Sequence, residues 1–333
     1  MSAAPVASPS PSWLGRLRPA DRRIELPLLM PYVYVLLLGG AILGMQPNLI
    51  YGPGAIEARF ALVVPLALVA FGQTLVLLTR GIDLSVGGLI SVVSALLATH
   101  LSRGGTLLIG EVALMALLGV AVGALNGLVI KVTRIQPFIV TLATWSIWGG
   151  TAFAILPIEG GTPPPGLTAA VSGAFLGVPK GLIITAALFV CWIWVKPTRF
   201  VTDLVAIGSD EDRARLMGVR VGWRKTQAYA LSGLLAALAS VWVTGQTGAG
   251  APNGGDQFIL ASIAAVVLGG TSIFGGKGSG ASSVAGAITY LMIPDLIFSL
   301  NLTSFWSTFF QGFVLIVAVV LNSLVQRRGR GRR

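Results

Sequence analysis

Residues 77–89 read "LLTRGIDLSVGGL" and set a cation, Arg80, and an anion, Asp83, three positions apart between two apolar runs, 60–79 and 84–101. Each run approaches the ~20 residues that cross a bilayer core as a helix. Charge at such a place is costly in hydrocarbon and calls for a structural or functional reason. Gly81, Ser85 and Gly87 surround the pair, so the stretch reads as a tight turn between two membrane segments. Asp83 then caps the helix that starts at Leu84 or pairs with Arg80, and a proton relay is the other use of an acid there.

The rest of the chain has the same character. Its 333 residues are 54 % hydrophobic and 11 % charged, with a mean hydropathy of +0.84. Soluble domains carry about a quarter charged residues, so the composition points to an all-α polytopic membrane protein. The net charge of +11 reads as the basic bias of cytoplasmic loops, with no nucleic-acid partner. Cys191 is the sole cysteine, which excludes an internal disulfide and a cysteine-based metal site; no metal site of any kind is expected. His100 ends an apolar run and reads as interfacial. The Pro/Ser-rich and then basic N-terminus lacks a signal-peptide core and reads as cytoplasmic.

Ten apolar segments are legible: 28–46, 60–79, 84–101, 106–130, 135–156, 180–195, 226–247, 257–274, 278–300 and 305–324. With the N-terminus inside, twenty of the 23 basic residues fall on the cytoplasmic side, and only Arg59, Arg103 and Lys180 fall outside. The expected organisation is a cytoplasmic tail (1–27), a membrane domain of about ten helices (28–325) and a basic cytoplasmic tail (326–333). The cytoplasmic loop 196–225 is long and charged. In it Ser209 is placed to cap a short helix, Asp210, Glu211 and Asp212 suit its first turn, Arg213 and Arg215 follow, and Gly218 stops it. A capped amphipathic helix of this kind suits docking into a groove of a soluble partner.

An internal echo runs through the chain. Gly72 and Thr74 align with Gly269 and Thr271, and Arg80-Gly81 with Lys277-Gly278, at an offset of 197 residues; Asn126 aligns with Asn322 at an offset of 196. Repeats are common in transporters and place the site between halves. Arg80 and Lys277 are then one feature used twice: a base in a glycine turn at a cytoplasmic helix end, beside the helix C-terminal dipole and the headgroups. The second turn, with Gly269, Gly270, Gly276, Lys277 and Gly278, is no phosphate-binding loop, because Thr271 and Gly278 stand where glycine and Ser/Thr are required.

Residues 60–325 resemble the permease subunits of bacterial ABC sugar importers, the group of ribose, xylose and arabinose permeases. Four stretches carry the likeness: "GQTLVLLTRGIDLSVGGL" from Gly72, "GALNGLVIKVTRIQPFIVTLAT" from Gly123, "AIGSDEDRARLMGVRV" from Ala206 and "AAVVLGGTSIFGGKGS" from Ala264. The resemblance implies that the third is the helix that docks into an ATPase subunit, through Ala206, Gly208, Glu211, Ala214, Arg215, Leu216, Gly218 and Val219. It also implies an inner-membrane importer with a second permease subunit, identical or paralogous, a periplasmic sugar-binding protein and a separate ABC ATPase that holds ATP and Mg. This chain itself would be no enzyme and would carry no cofactor.

A sugar path needs hydrogen-bonding groups and aromatic faces. The candidates are Gln73, Asn126, Thr141, Thr144, Trp145, Gln246, Asn253 and Phe258, each of which could equally serve as helix–helix glue. The alternatives are a branched-chain amino acid or nucleoside permease of the same superfamily, and a secondary transporter using Asp83, Glu111 or Asp295. An intramembrane enzyme lacks the clustered ligands or nucleophile–base pair it would need.

Overall fold

Backbone carried through hydrocarbon must pair its own amides, and helices do this segment by segment. The computed structural model follows that demand. It describes residues 26–48, 52, 54–99, 108–303, 305–314, 316, 317 and 320. Nearly all of residues 1–27, the tail 326–333, His100, Arg103 and Asn322 lie outside the described residues. In chain order the helices are α1 (Leu26–Met45), α2 (Ala55–Leu78), α3 (Ser85–Thr99), α4 (Leu108–Thr133), α5 (Pro137–Ile155) and α6 (Leu167–Val171). A hairpin of β1 (Ala174–Phe175) and β2 (Val178–Pro179) follows, then α7 (Lys180–Val195), α8 (Arg199–Ser209), α9 (Glu211–Leu216), α10 (Val221–Thr247), α11 (Asp256–Leu268) and α12 (Gly280–Ser299). The hairpin turns on Leu176 and Gly177, both with positive φ, as a two-residue loop requires.

Among the described residues, six helices are long and apolar enough to cross a membrane: α1, α2, α4, α5, α10 and α12. The pair α7 and α8, bent by 80°, makes a seventh if it is one span. Each of the ten apolar segments contains helix, including 305–314, but α3 and α11 have only 15 and 13 residues. A glycine turn takes up the remainder of segment 257–274.

The arrangement follows from the breadth of each apolar face. In α2 every residue from Val63 to Leu78 is buried, so this helix is the central post. Around it pack α10, α12, α7 and α11. α4 lies along α10, α5 along α3, and α1 along α12. The exposed sides of α1 and α5 carry Leu36, Leu37, Ile139 and Ile147, a surface for acyl chains.

The close crossing of α4 on α10 uses Gly119, Gly123 and Gly127, four residues apart on one face. A Cβ at any of them would overlap main-chain atoms of Gly233, Tyr229 or Thr226. Apolar helices gain little from leaving lipid, so close backbone approach supplies the contact. Gly123→Val should cost about 3 kcal/mol or more and deplete folded protein in membranes. Gly110→Val, at a position with nothing within 4 Å, should express normally. Equal monodispersity of the two variants in detergent would contradict this packing.

Candidate functional site

The turn that opened the sequence reading is a backbone reversal inside the bundle. After α2 ends, Arg80 takes a left-handed φ of 65°. The chain then returns alongside α2 and starts α3 at Ser85. Its non-helical main chain needs partners, because unpaired backbone at this depth is tolerated only when protein satisfies it. The fully buried Gln73 amide supplies two: its nitrogen donates to Asp83 O and its oxygen accepts from Asp83 N, each at 3.2 Å. Thr141 Oγ1 donates to Ile82 O at 3.1 Å. Asp83, 1 % exposed, accepts from Ser85 N at 3.1 Å, Ser85 Oγ at 2.5 Å and Ser232 Oγ at 2.8 Å. Asn126 Nδ2 then donates to Ser85 Oγ at 2.8 Å. Gly81 is required here because any side chain would strike the Tyr229 hydroxyl. Gly87 rests on Ile259 and Gly88 on the Trp145 carbonyl, which brings α3 against α11 and α5.

Arg80 has other partners. Its Nε donates to Gly208 O at 2.7 Å and its Nη2 to Ser209 O at 2.8 Å, the final carbonyls of α8. The cation does meet a helix C-terminus, but that of α8, and the pairing with Asp83 allowed by the spacing is replaced by these bonds. The second glycine turn joins the same place. Gly276 N donates to Leu78 O at 3.1 Å, and Gly275 and Gly276, with φ of 77° and 74°, lie against Arg80 and Ser209. A Cβ on Gly208 would overlap both Leu78 O and Gly276 N. Three backbones thus meet with no side chain between them. Higher up, the echoed residues Thr74 and Thr271 meet on Ser283 Oγ, at 2.7 and 3.3 Å. Gly269 packs on Ser282, Gly270 on the Pro27 carbonyl and Gly278 on Thr271. The Lys277 carbonyl accepts from Ser272 N at 2.9 Å.

Beyond this joint lies the charged loop. Its first half is a helix the sequence reading did not separate, α8, which buries Val201, Leu204 and Ile207 and ties Asp203 to Arg224 at 2.7 Å. The alternation of apolar positions three and four apart was the available signal. Asp210, not Ser209, caps α9: its extended backbone ends α8, and its carboxylate accepts from Arg213 N at 3.1 Å. Ser209 is still helical and its Oγ donates back to Val205 O at 2.8 Å. Gly218, φ 82°, closes α9, with Gly218 N on Arg215 O and Val219 N on Ala214 O. Ala214 is fully buried with Ile207 and Val221, against Ala206 and Val219, while Leu216 and Met217 are 87 % and 71 % exposed. A groove of about 700 Å³ runs beside them, lined by Thr202, Ala206, Met217, Val219, Arg220 and Trp223.

Glu211 ties α9 to α10, with Lys225 Nζ at 2.6 Å and Arg215 Nη2 at 2.5 Å. Burial alone would push its carboxyl up, but Lys225 and Arg215 outweigh that and hold it below its ordinary 4.5. The tie therefore contributes fully above pH 4.5 and is lost as pH falls through the lower folded value. Glu211→Gln should destabilise the fold at pH 7 by about 1 kcal/mol, the scale for a partly exposed pair, read as a lower melting temperature. That difference should shrink as pH is lowered below 4.5 and disappear once Glu211 is protonated in the folded chain; a constant gap across pH would refute the tie.

The other path candidates are dispersed. Thr144 Oγ1 bonds to Val140 O within α5. Trp145 Nε1 donates to Asp256 Oδ1 at 2.9 Å. Asn253 is exposed just before α11, and Phe258 is buried within it. Gln246 lines a separate cavity of about 240 Å³ with Glu57, Ser172 and Trp242. Of the acids considered for ion coupling, Asp295 is ion-paired with Arg59, and Glu111 is buried in α4.

A family profile described as "Branched-chain amino acid transport system / permease component" matches residues 55–319. The chain is similar to the ribose import permease protein RbsC of Bacillus subtilis (strain 168), 35 % identical over 263 residues, covering 77 % of this chain and 80 % of the relative. RbsC of Escherichia coli (strain K12) is 34 % identical, covering 78 % and 83 %. The autoinducer 2 import system permease protein LsrC of Salmonella choleraesuis (strain SC-B67) is 31 % identical, covering 81 % of each. No solved structure matches. With the profile spanning both glycine turns and the helices they join, the chain belongs to this family of membrane permease components of import systems.

Proposed function

We propose that the chain is the transmembrane subunit of an ATP-driven importer for a monosaccharide, and that α9 is the element a separate ABC ATPase grips. The observation that carries this reading is the joint of Leu78, Arg80, Gly208 and Gly276. A push on exposed Leu216 and Met217 reaches α8 through buried Ala214; the last carbonyls of α8 accept from Arg80 at the end of α2, and α8 packs against Gly275 and Gly276 of the second glycine turn, whose Gly276 N donates to Leu78 O. Motion of a small surface helix is thereby delivered to the central post.

ATP and Mg would sit on the ATPase, a periplasmic sugar-binding protein would deliver cargo, and a second permease subunit, the same or paralogous, would complete the path. All ten apolar segments would take part, with both termini cytoplasmic in the inner membrane. The sugar assignment rests on the named relatives and on the "GIDLSVG" form of the first turn. The family description favours an amino acid as the second reading, so the assay has to carry both cargoes.

In vesicles reconstituted with its ATPase and binding protein, the wild-type complex should take up labelled D-ribose with ATP and ignore L-leucine; the converse would support the second reading. Arg80→Ala should lower uptake roughly tenfold or more, since two charge-assisted bonds are lost, while the ATPase still co-purifies. Glu211→Arg or Gly218→Pro should abolish uptake with the chain still in the membrane. Normal uptake in all three variants would refute coupling through α9.

A further inference from the structure

Asp256 opens α11 on an exposed face, and its Oδ1 accepts the indole N–H of Trp145 from α5 at 2.9 Å. Among the described residues no cation pairs with it. Its depth follows from two lines of geometry. α11 rises 13 residues from the second glycine turn, about 20 Å at the helical rise. Separately, Gly255 N donates to Ser91 Oγ at 3.1 Å, and Gly255 presses on the Gly87 carbonyl. Ser91 lies about 9 Å along α3, which itself starts level with Gln73, some 7 Å from the end of α2. Both lines put Asp256 about 15–20 Å from the coupling end of α2, a helix about 36 Å long.

An exposed carboxylate near the middle of the membrane is not met by lipid; such groups face water or protein. A first-turn acid does complement the helix dipole, but that role asks for neither mid-membrane depth nor an indole from another helix. Polar groups and open space flank the carboxylate. Asn253 and Gln257 are exposed beside Asp256, and Gly149, one turn beyond Trp145, and Gly150 leave open space. Among the described residues there is no group of three His, Cys, Asp or Glu side chains that could hold a metal ion.

We infer that Asp256, held by Trp145, is a contact point for a neutral polyhydroxylated substrate on the aqueous path. The carboxylate accepts hydroxyl hydrogen bonds, and the indole and the flanking amides offer a ring face and further polar groups. This deepens the import reading and rests on it for the cargo.

The test starts from Cys191→Ser, which removes the sole cysteine, and adds Asp256→Cys in the complex with its ATPase. A charged methanethiosulfonate should label the new thiol, at a rate that differs at least tenfold between nucleotide-free and vanadate-trapped complex. Labelling only by a lipid-soluble maleimide would overturn the proposal. So would exclusion of the charged reagent together with oxidative linkage of two copies, which would mark a permease–permease contact. In the wild-type background Asp256→Ala should lower kcat/KM for D-ribose uptake roughly tenfold to a hundredfold, the range for a lost charged hydrogen bond. Asp256→Asn should lose less, and ATPase binding should persist; unchanged uptake in Asp256→Ala would overturn the contact. A wild-type complex that carries L-leucine and no pentose would overturn the substrate class. Charged-reagent labelling without any ATP dependence of transport would instead fail the import reading and leave the wet site standing.

Discussion

A chain that reverses inside a bilayer has to find partners for its own main chain, and the reversal between α2 and α3 depends on that demand. Gln73 and Thr141 satisfy the carbonyls and amide of Ile82 and Asp83, and Asp83 takes three donors from Ser85 and Ser232. Unsatisfied groups of this kind cost several kcal/mol each in hydrocarbon. The polar residues of the inner helices are thus placed by the turn they serve. Once the turn is held, α3 can start within the bundle, and α11 can dock on its first two turns through Gly87 and Ser91.

The same reversal leaves Arg80 at the bottom, in a left-handed conformation that costs about 1 kcal/mol or more and persists only when its surroundings hold it. Two carbonyls of α8 do so. Gly208 and Gly276 let the main chains of α2, α8 and the second glycine turn touch where they converge, beside the Arg80 side chain. Contact through main chain transmits displacement with little slack, since there is no rotamer to absorb it. A permease driven from one side needs such a stiff connection between its surface helix and its central post.

Much of this was legible in residue pattern. Apolar runs located every long helix, and the charge pattern with Gly218 located α9. The end of α11 at Leu268 fell short of the apolar segment because glycine-rich apolar turns such as 269–279 look like helix in composition alone. Asp210 displaced Ser209 as the cap because adjacent cap residues compete and only the backbone angle decides between them. The partners of Arg80 lie 128 and 129 residues away, beyond any local signal. The sequence reading also passed over the four-residue spacing of Gly119, Gly123 and Gly127, which marks the α4–α10 crossing. The sequence reading passed over Asp256, whose interest depends on its depth, a property of the fold.

The central claim is that exposed Leu216 at the tip of α9 is held by an ATPase. A photo-activated cross-linking residue placed at Leu216 in native membranes tests it directly, with adducts identified by mass spectrometry. The account predicts one dominant adduct, to an ABC ATPase subunit, whose yield changes with bound nucleotide. Adducts to lipid alone, from membranes in which uptake survives ATP depletion and collapses with a proton uncoupler, would contradict it.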